Sequence, residues 1–542
     1  MKIGIFMAYM PGVKLGSEGL GRYIGNLMKG FLDGGNQISV ACPKWLLESL
    51  FDLFDDFHIR KDQVNIITTQ RVPVIWTIYN TLFAGKKKRQ SLGKIRLMRG
   101  FSDLVDFLIN RLISFSGWVG FILFSLLLLA IGLVLLPFAL LVAALLVLLL
   151  LARALLKKSK DPVKSVFRRL SRIYKNYSKS GTSIPERAYK ALYLSTVEKI
   201  IHRINQEPMD VWFVPTLFWP EAVNIRGLTV FAAPDMVTTE FPFPFADEPS
   251  SVTATDTCAK TIYRGSYFIS YGDFIKRDVL MKRFGKREDH IISIAHINNS
   301  SLEYVDIVEG TEQMQESGAA LNERFCRQLL RQLPRYTAQR AFLEGFDFEH
   351  LEFVFYASQQ RPHKNIMNLL KAYEYLVRTK HVRFKLFVTA DLEGTPALDA
   401  FIREHHLEHD VIAFKRVPVQ LLSALYACAR LVVNPTLYEG AFLTFTIGEG
   451  MSVGTPSIMG RIPQVTDTIP SVYPLEHVLF DPHDYMDMAD KILYGVEHAE
   501  ELYEDELPMY RDIESRTGPI VSKDYIDAFH HFAEIYRAEG TC

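Results

Sequence analysis

The chain has 542 residues, enough for two or three domains, with 49% hydrophobic and 23% charged side chains. Its 61 basic and 61 acidic residues cancel, so no global field recruits nucleic acid. Five scattered cysteines, Cys42, Cys258, Cys326, Cys428 and Cys542, lack metal-ligand spacing, which argues against a disulfide scaffold or a zinc site and fits a reducing compartment.

Residues 2–6 read as a strand rather than the start of a signal peptide. That strand extends to residue 8 and is followed by a glycine loop over 16–21, an amphipathic helix over 22–32 ended by Gly34-Gly35, and a second strand over 38–41. Glycines let a backbone approach a ligand closely, which makes Gly19 and Gly21 candidate ligand-binding positions. The spacing is not the dinucleotide fingerprint, and no acid follows the second strand as that fingerprint requires. A plain turn reads the loop equally well.

Composition changes at Lys86. A basic segment (Lys86 to Arg89, then Lys94, Arg96 and Arg99) precedes residues 117–152, which carry no charge and consist mostly of Leu, Val, Ala and Phe. Basic residues resume at Arg153 and continue to Lys175. An apolar run of this length reads as a membrane segment. As one straight helix it would reach about 54 Å at about 1.5 Å per residue, against a hydrocarbon layer of about 30 Å. Rossmann-like sequence on both sides puts both ends on one face of the bilayer, and the Lys and Arg flanks favour the cytoplasmic face. The expectation is a helical hairpin, short enough to be re-entrant, broken at Pro137 with Gly132 nearby. Arg168, Arg169, Arg172, Tyr174, Lys175 and Tyr177 suit anionic headgroups; a solvated helix face is the alternative.

The soluble pattern returns near residue 185. Residues 211–214 and 228–232 are buried strands, the second leading into Ala233-Pro234-Asp235. Asp235 thus falls at a strand's carboxyl end, where open α/β sheets bind ligands; a loop cap is the competing role. Strands over 267–270 and 291–295 enclose a helix over 274–284, and His296 follows in a loop where a structural histidine is the ordinary reading. Residues 319–344 form a charged helical connector.

The second domain begins near Leu351 with a strand over 352–357, then Ser358-Gln359-Gln360-Arg361-Pro362-His363-Lys364-Asn365, then a helix to residue 377. Two cations directly after a strand, Arg361 and Lys364, can neutralise a diphosphate leaving group. Strands over 384–389, 411–414, 431–433, 457–458 and 478–480 follow with helices between them, and 525–538 is the last helix. Strand 431–433 is stopped by Pro435, turns through Glu439-Gly440, and enters a helix holding Glu449 that ends at Gly454-Thr455-Pro456. Strand, loop and helix N-terminus in that order suit a phosphate-bearing ligand, and a carboxylate deeper in the helix can hold a ribose. Solvated glutamates on an ordinary strand–loop–helix are the competing reading.

The stretch NPTLYEGAFLTFTIGEGMSVGTP, residues 434–456, resembles glycosyltransferase family 4, retaining enzymes with the GT-B fold. That family's motif is Tyr-Glu-Gly, a second Glu and a small-residue Gly-x-Pro turn. Nine residues lie between Glu439 and Glu449, two more than is usual there. Gly19 to Tyr23 is similar to the family's Gly-x-Gly-Arg-Tyr segment, and Arg361 to Asn365 to its Arg and Lys segment. APDMVTTEFPFP is similar to its His-Asp-hydrophobic segment, with Pro234 replacing the His, and Phe480-Asp481-Pro482 matches its late strand.

The resemblance implies an α/β chain of two Rossmann-like domains facing across a cleft, plus the inserted hydrophobic hairpin. The boundaries are 1–85 and 185–318 for the N-terminal domain, 86–184 for the insertion, 319–350 for the connector, 351–515 for the nucleotide-sugar domain and 516–542 for a helix crossing back. It implies that Glu449 holds the donor ribose and Glu439 the sugar hydroxyls. Arg361 and Lys364 stabilise the diphosphate, and Asp235 carries the polar role of its segment. Gly440, Phe442, Leu443 and Thr444 form the donor loop, with Gly19 and Gly21 beside the sugar or acceptor. It implies no metal and no cofactor, only a nucleotide-sugar substrate, with GDP-mannose the first choice. Asp347-Phe348-Glu349 precedes a strand and is discounted as a metal motif. The family works by front-face attack without an enzyme nucleophile. The expected partners are a nucleotide sugar, a lipid-linked glycan or glycolipid acceptor, the membrane and, as an open alternative, a second copy in a homo-oligomer; nucleic acid is not among them. The expected location is a bacterial inner membrane with the catalytic domains cytoplasmic. Two alternatives stay open: a catalytically degenerate GT-B subunit serving as a membrane-anchored assembly partner, and a GT-B epimerase or phosphorylase.

Overall fold

The computed structural model describes residues 1–17, 19–69, 107–112, 114–115, 117–155, 184–234, 236–241, 249–297, 322–440, 445–467, 469, 473 and 475–540. Two parallel sheets organise them. The N-terminal sheet has seven strands, β1 (Lys2–Phe6), β2 (Gln37–Ala41), β3 (Val64–Ile67), β4 (Val211–Val214), β5 (Thr229–Ala233), β6 (Tyr267–Ser270) and β7 (Ile291–Ser293), in the order β3-β2-β1-β4-β5-β6-β7. The C-terminal sheet has six, β8 (Phe353–Tyr356), β9 (Lys385–Val388), β10 (Val411–Ala413), β11 (Leu431–Asn434), β12 (Ser457–Gly460) and β13 (Leu479–Phe480), in the order β10-β9-β8-β11-β12-β13. This is the two-domain GT-B arrangement. The strand sequences are near-continuous apolar runs because helices cover both faces of a parallel sheet; Val211–Val214 and Phe353–Tyr356 are buried at every position.

In each sheet the first strand lies centrally and the order reverses beside it, between β1 and β4 and between β8 and β11. The loops leaving the carboxyl ends of such neighbours diverge and leave a crevice, which is where doubly wound sheets take ligands. The register Leu431↔Val354 and Val432↔Phe355 sets the β8 and β11 exits side by side.

The last helix, Gly518–Ala538, returns to the N-terminal domain as expected. Tyr525, Phe529 and Phe532 are buried in that domain's core, with the Tyr23 hydroxyl donating to that of Tyr525 at 2.8 Å. The stretch read as a connector is not one helix in its described part. It is a helix over 322–330 followed by short turns and helical pieces, whose Cys326, Leu330, Leu333 and Leu343 pack into the C-terminal core with Phe353 and Phe387. The helix expected over 274–284 is present, with π-helical geometry over Ile275–Met281.

The hairpin expectation is corrected. One 38-residue helix runs from Trp118 to Leu155 with Pro137 inside it. A proline removes one N–H and kinks a helix, but an all-apolar sequence offers the freed carbonyl no competing side chain, so the helix continues. Among the described residues, Trp118–Pro137 is the one helix long and apolar enough to cross a membrane, and none of it is buried against the rest of the chain. β3 was not foreseen, nor were the helices Leu47–Asp56 and Ile184–Ile204.

Candidate active site

The β8 exit is a tight turn. Arg361 is extended, Pro362–Lys364 form one 3-10 turn, and Asn365 takes a left-handed conformation at φ 55°. Asparagine tolerates that region better than most residues, and here its side chain has a further use. Its Nδ2 donates to the carbonyls of Pro435 at 2.9 Å and Pro482 at 2.7 Å. The β11 exit is tied to the same turn from its own side. Leu437 N–H donates to the His363 carbonyl at 2.8 Å, and the Thr436 hydroxyl reaches that carbonyl and Tyr438 O. The two loops are therefore one stitched unit.

That unit sets Lys364 against Glu439. Lys364 Nζ donates to Glu439 Oε1 at 2.6 Å, with the two side chains only 19% and 16% exposed. Arg361 is exposed beside them and donates to Gln359 Oε1 at 3.2 Å. The buried His363 lies between the two cations. Burial, then Lys364 and Arg361, lower its pKa to about 3, so it is neutral and adds no third charge. The Tyr356 hydroxyl is pushed above its ordinary pKa by burial and by the Glu439 carboxylate.

Glu449 is half-buried on the Phe445–Ser452 helix. Burial raises its pKa, while the Tyr426 hydroxyl and the Arg22 guanidinium act the other way. Arg22 belongs to the Gly19–Asp33 helix of the N-terminal domain. The helix is stopped by Gly454 at φ +83°, where a side chain would be strained, and Thr455 N–H returns to the Gly450 carbonyl at 3.0 Å.

The sequence candidates separate as follows. Lys364 and Glu439 are paired, Arg361 and Gly440 stand in the same two loops as that pair, and Glu449 lies on the next helix. Gly19 and Gly21 open the Gly19–Asp33 helix. A Cβ on Gly19 would meet open space, whereas one on Gly21 would fall 2.1 Å from the Leu15 carbonyl oxygen, so Gly21 is needed for packing. Asp235, Phe442, Leu443 and Thr444 lie outside the described residues. Met236, next to Asp235, donates its N–H to the Tyr438 hydroxyl at 2.9 Å. His296 is half-buried, stacks on Tyr23 and donates from Nδ1 to the Ile297 carbonyl at 2.7 Å, with its pKa lowered by desolvation to about 4. Sequence reasoning missed the roles of Asn365 and Tyr438, although both stand inside segments singled out above. The signal for Asn365 was an amide directly after a proline-started turn.

Residues 351–498 match the family described as glycosyl transferases group 1. The O-antigen chain mannosyltransferase B of Escherichia coli is 27% identical over 168 residues, which cover 30% of this chain and 42% of that relative, so the match spans about two fifths of the relative's length. A solved glycosyltransferase from Rickettsia africae ESF-5 superposes with a TM-score of 0.50 at 11% identity, covering 98% of each chain. The Anabaena protein HepE, solved with UDP and glucose, gives a TM-score of 0.48 at 12% identity and covers 100% of each chain.

Proposed function

We propose that the protein is a membrane-associated, retaining, metal-independent glycosyltransferase. It moves a sugar, mannose as first choice, from a nucleotide sugar to a lipid-linked glycan or glycolipid during surface polysaccharide synthesis. The observation that carries this reading is the Lys364–Glu439 pair at the β8/β11 switch point, with Arg361 beside it and Glu449 on the following helix. The group 1 match over the same residues supports it, and the E. coli relative supports mannose.

The roles follow from the chemistry. A nucleotide diphosphate leaves as an anion, and cations already in place where that charge develops lower the barrier most. Lys364 is held in place by Glu439 before any ligand arrives, and Arg361 is free to fold onto the outer phosphate. Glu439 keeps its second oxygen for donor hydroxyls, and Glu449 takes the ribose. Retaining hydrolases place two carboxylates about 5 Å apart and use one as nucleophile. Here Glu439 is already bound to a lysine, which suits orientation rather than attack. The acceptor's proton goes to a donor phosphate oxygen in a front-face substitution, and positioning supplies the remainder of the rate.

The Trp118–Leu155 helix motivates the lipid acceptor and an inner-membrane location. The chain before it (to residue 69) and after it (from Ile184) serves one sheet, so both pieces stay on one face, taken as the cytoplasmic one, and a single helix between them enters the membrane from that face rather than crossing it once. The deciding experiment incubates purified protein in lipid with GDP-, UDP- and dTDP-sugars and reads nucleotide release. Release from one donor class, abolished in Glu439→Ala and Lys364→Ala, is expected. No release from any donor, or release indifferent to both substitutions, overturns the reading and favours an assembly subunit.

A further inference from the structure

Tyr438 belongs by sequence to the C-terminal domain, one residue before Glu439, yet it is not part of that domain's core. Its side chain is 1% exposed and buried in the hydrophobic cluster of the N-terminal domain. The ring packs edge-on against Phe241 with centroids 6.0 Å apart, and the hydroxyl accepts the buried Met236 N–H at 2.9 Å. Met236 is one residue after Asp235. A single hydrogen bond thus joins the residue following one candidate acid to the residue preceding the other, across the domain boundary. Thr436 braces the Tyr438 backbone from below, its hydroxyl accepting Tyr438 N–H at 3.4 Å and donating to Tyr438 O at 2.8 Å. The tyrosine therefore cannot leave its socket without pulling on the loop that carries Glu439.

Two other contacts between described residues across the boundary are of another kind. Arg277 pairs with Asp467 at 2.5 Å with the arginine side chain 53% exposed, and Arg22 acts on Glu449 only through its charge. Exposed pairs contribute little, because water screens them, whereas a buried N–H left without its acceptor bears its full desolvation penalty. Of these contacts, the Tyr438 socket is the one that closure must satisfy and opening must break.

We propose that Tyr438 is a positioning residue that couples domain closure to assembly of the active site. When the domains open, Tyr438 is withdrawn and the Met236 and Glu439 segments separate. When they close on donor and acceptor, the Met236–Tyr438 bond re-forms and sets both segments at once. The inference rests on the transferase reading for its catalytic consequence, but not for the closure itself.

The test is Tyr438→Phe, which keeps the ring and removes the hydroxyl that accepts the Met236 N–H. Three quantities are measured on the full chain in lipid: kcat for nucleotide release, donor Kd, and the distance between spin labels at Asp52→Cys and Lys371→Cys. These positions are exposed, one in each domain, and the described native cysteines are all buried. The expected result is a fall in kcat of about tenfold, from orphaning one buried N–H, with donor Kd changed by less than about twofold because the donor is held by the C-terminal domain. The distance distribution should broaden toward longer separations. An unchanged kcat, or a fall in kcat with an unchanged distribution, overturns the coupling. If the wild type turns over no nucleotide sugar, the transferase reading fails, and the distance distributions alone decide whether Tyr438 holds the domains together.

Discussion

Lys364→Ala removes the cation from the centre of the crevice and leaves Glu439 without its partner. Breaking a fully buried ion pair from one side costs about 3–5 kcal/mol. Water reaches this pair, since the side chains keep 19% and 16% of their exposure, so a stability loss of about 1–2 kcal/mol is expected. For a domain of this size that is about 3–6 °C in Tm. Activity should fall further. Loss of one preorganised charge at the developing anion removes about 10²–10³ in kcat, with donor affinity less affected. Nucleotide release and thermal unfolding of the same preparation separate the two effects. The Lys364→Ala/Glu439→Ala double variant should be destabilised by less than the two single losses together, because neither partner is then left charged and alone. A Lys364→Ala protein that releases nucleotide within tenfold of the wild-type rate would refute the leaving-group role. Additive stability losses would refute the pairing.

Gly21→Ala should lose about 2–3 kcal/mol through overpacking, since its Cβ would meet the Leu15 carbonyl oxygen at 2.1 Å, whereas Gly19→Ala should stay within about 0.5 kcal/mol because nothing lies near its Cβ; thermal unfolding of both checks this. His363 is buried neutral with a pKa near 3, so between pH 6.5 and that value the unfolded chain binds a proton that the folded chain refuses. About 2 kcal/mol of stability should therefore be lost by pH 5, and His363→Gln should unfold with a smaller pH dependence between 7 and 5. Leu126→Lys with Leu133→Lys places two charges on a helix where those leucines are 55% and 61% exposed. At about 3 kcal/mol each for insertion at a helix centre, the variant should shift from the membrane pellet to the soluble fraction, and an unchanged distribution would rule out bilayer insertion of this helix.

Much of the fold was legible because parallel strands covered on both faces read as short apolar runs. Val211–Val214, Tyr267–Ser270 and Leu431–Asn434 announced themselves in that way. Val64–Ile67 did not, since its Asn65 interrupts the run and the strand lies just before the change in composition; that asparagine in fact donates to the Ser39 hydroxyl on the neighbouring strand at 3.2 Å. Pro137 was over-read as a break because a proline's local cost was weighed without the strength of an apolar helix around it. The role of Tyr438 was hidden for a different reason. Burial against another domain leaves no periodicity in the chain, and an aromatic residue in a loop after a strand looks the same whether it faces ligand or core.

Glu439 and Glu449 are anchored separately. Glu439 is set by the β11 exit: Thr436, Leu437 and Asn365 stitch that loop to the Lys364 turn, and Lys364 holds the carboxylate itself. Glu449 is set separately, by a helix that packs on β12 and ends at Gly454. A Cβ on neighbouring Gly450 would lie 2.6 Å from the Ser457 hydroxyl oxygen on β12, so that helix seats directly on the sheet. Glu439 and Glu449 thus rest on separate supports, and a change at Asn365 should disturb the first acid while a change at Gly450 disturbs the second.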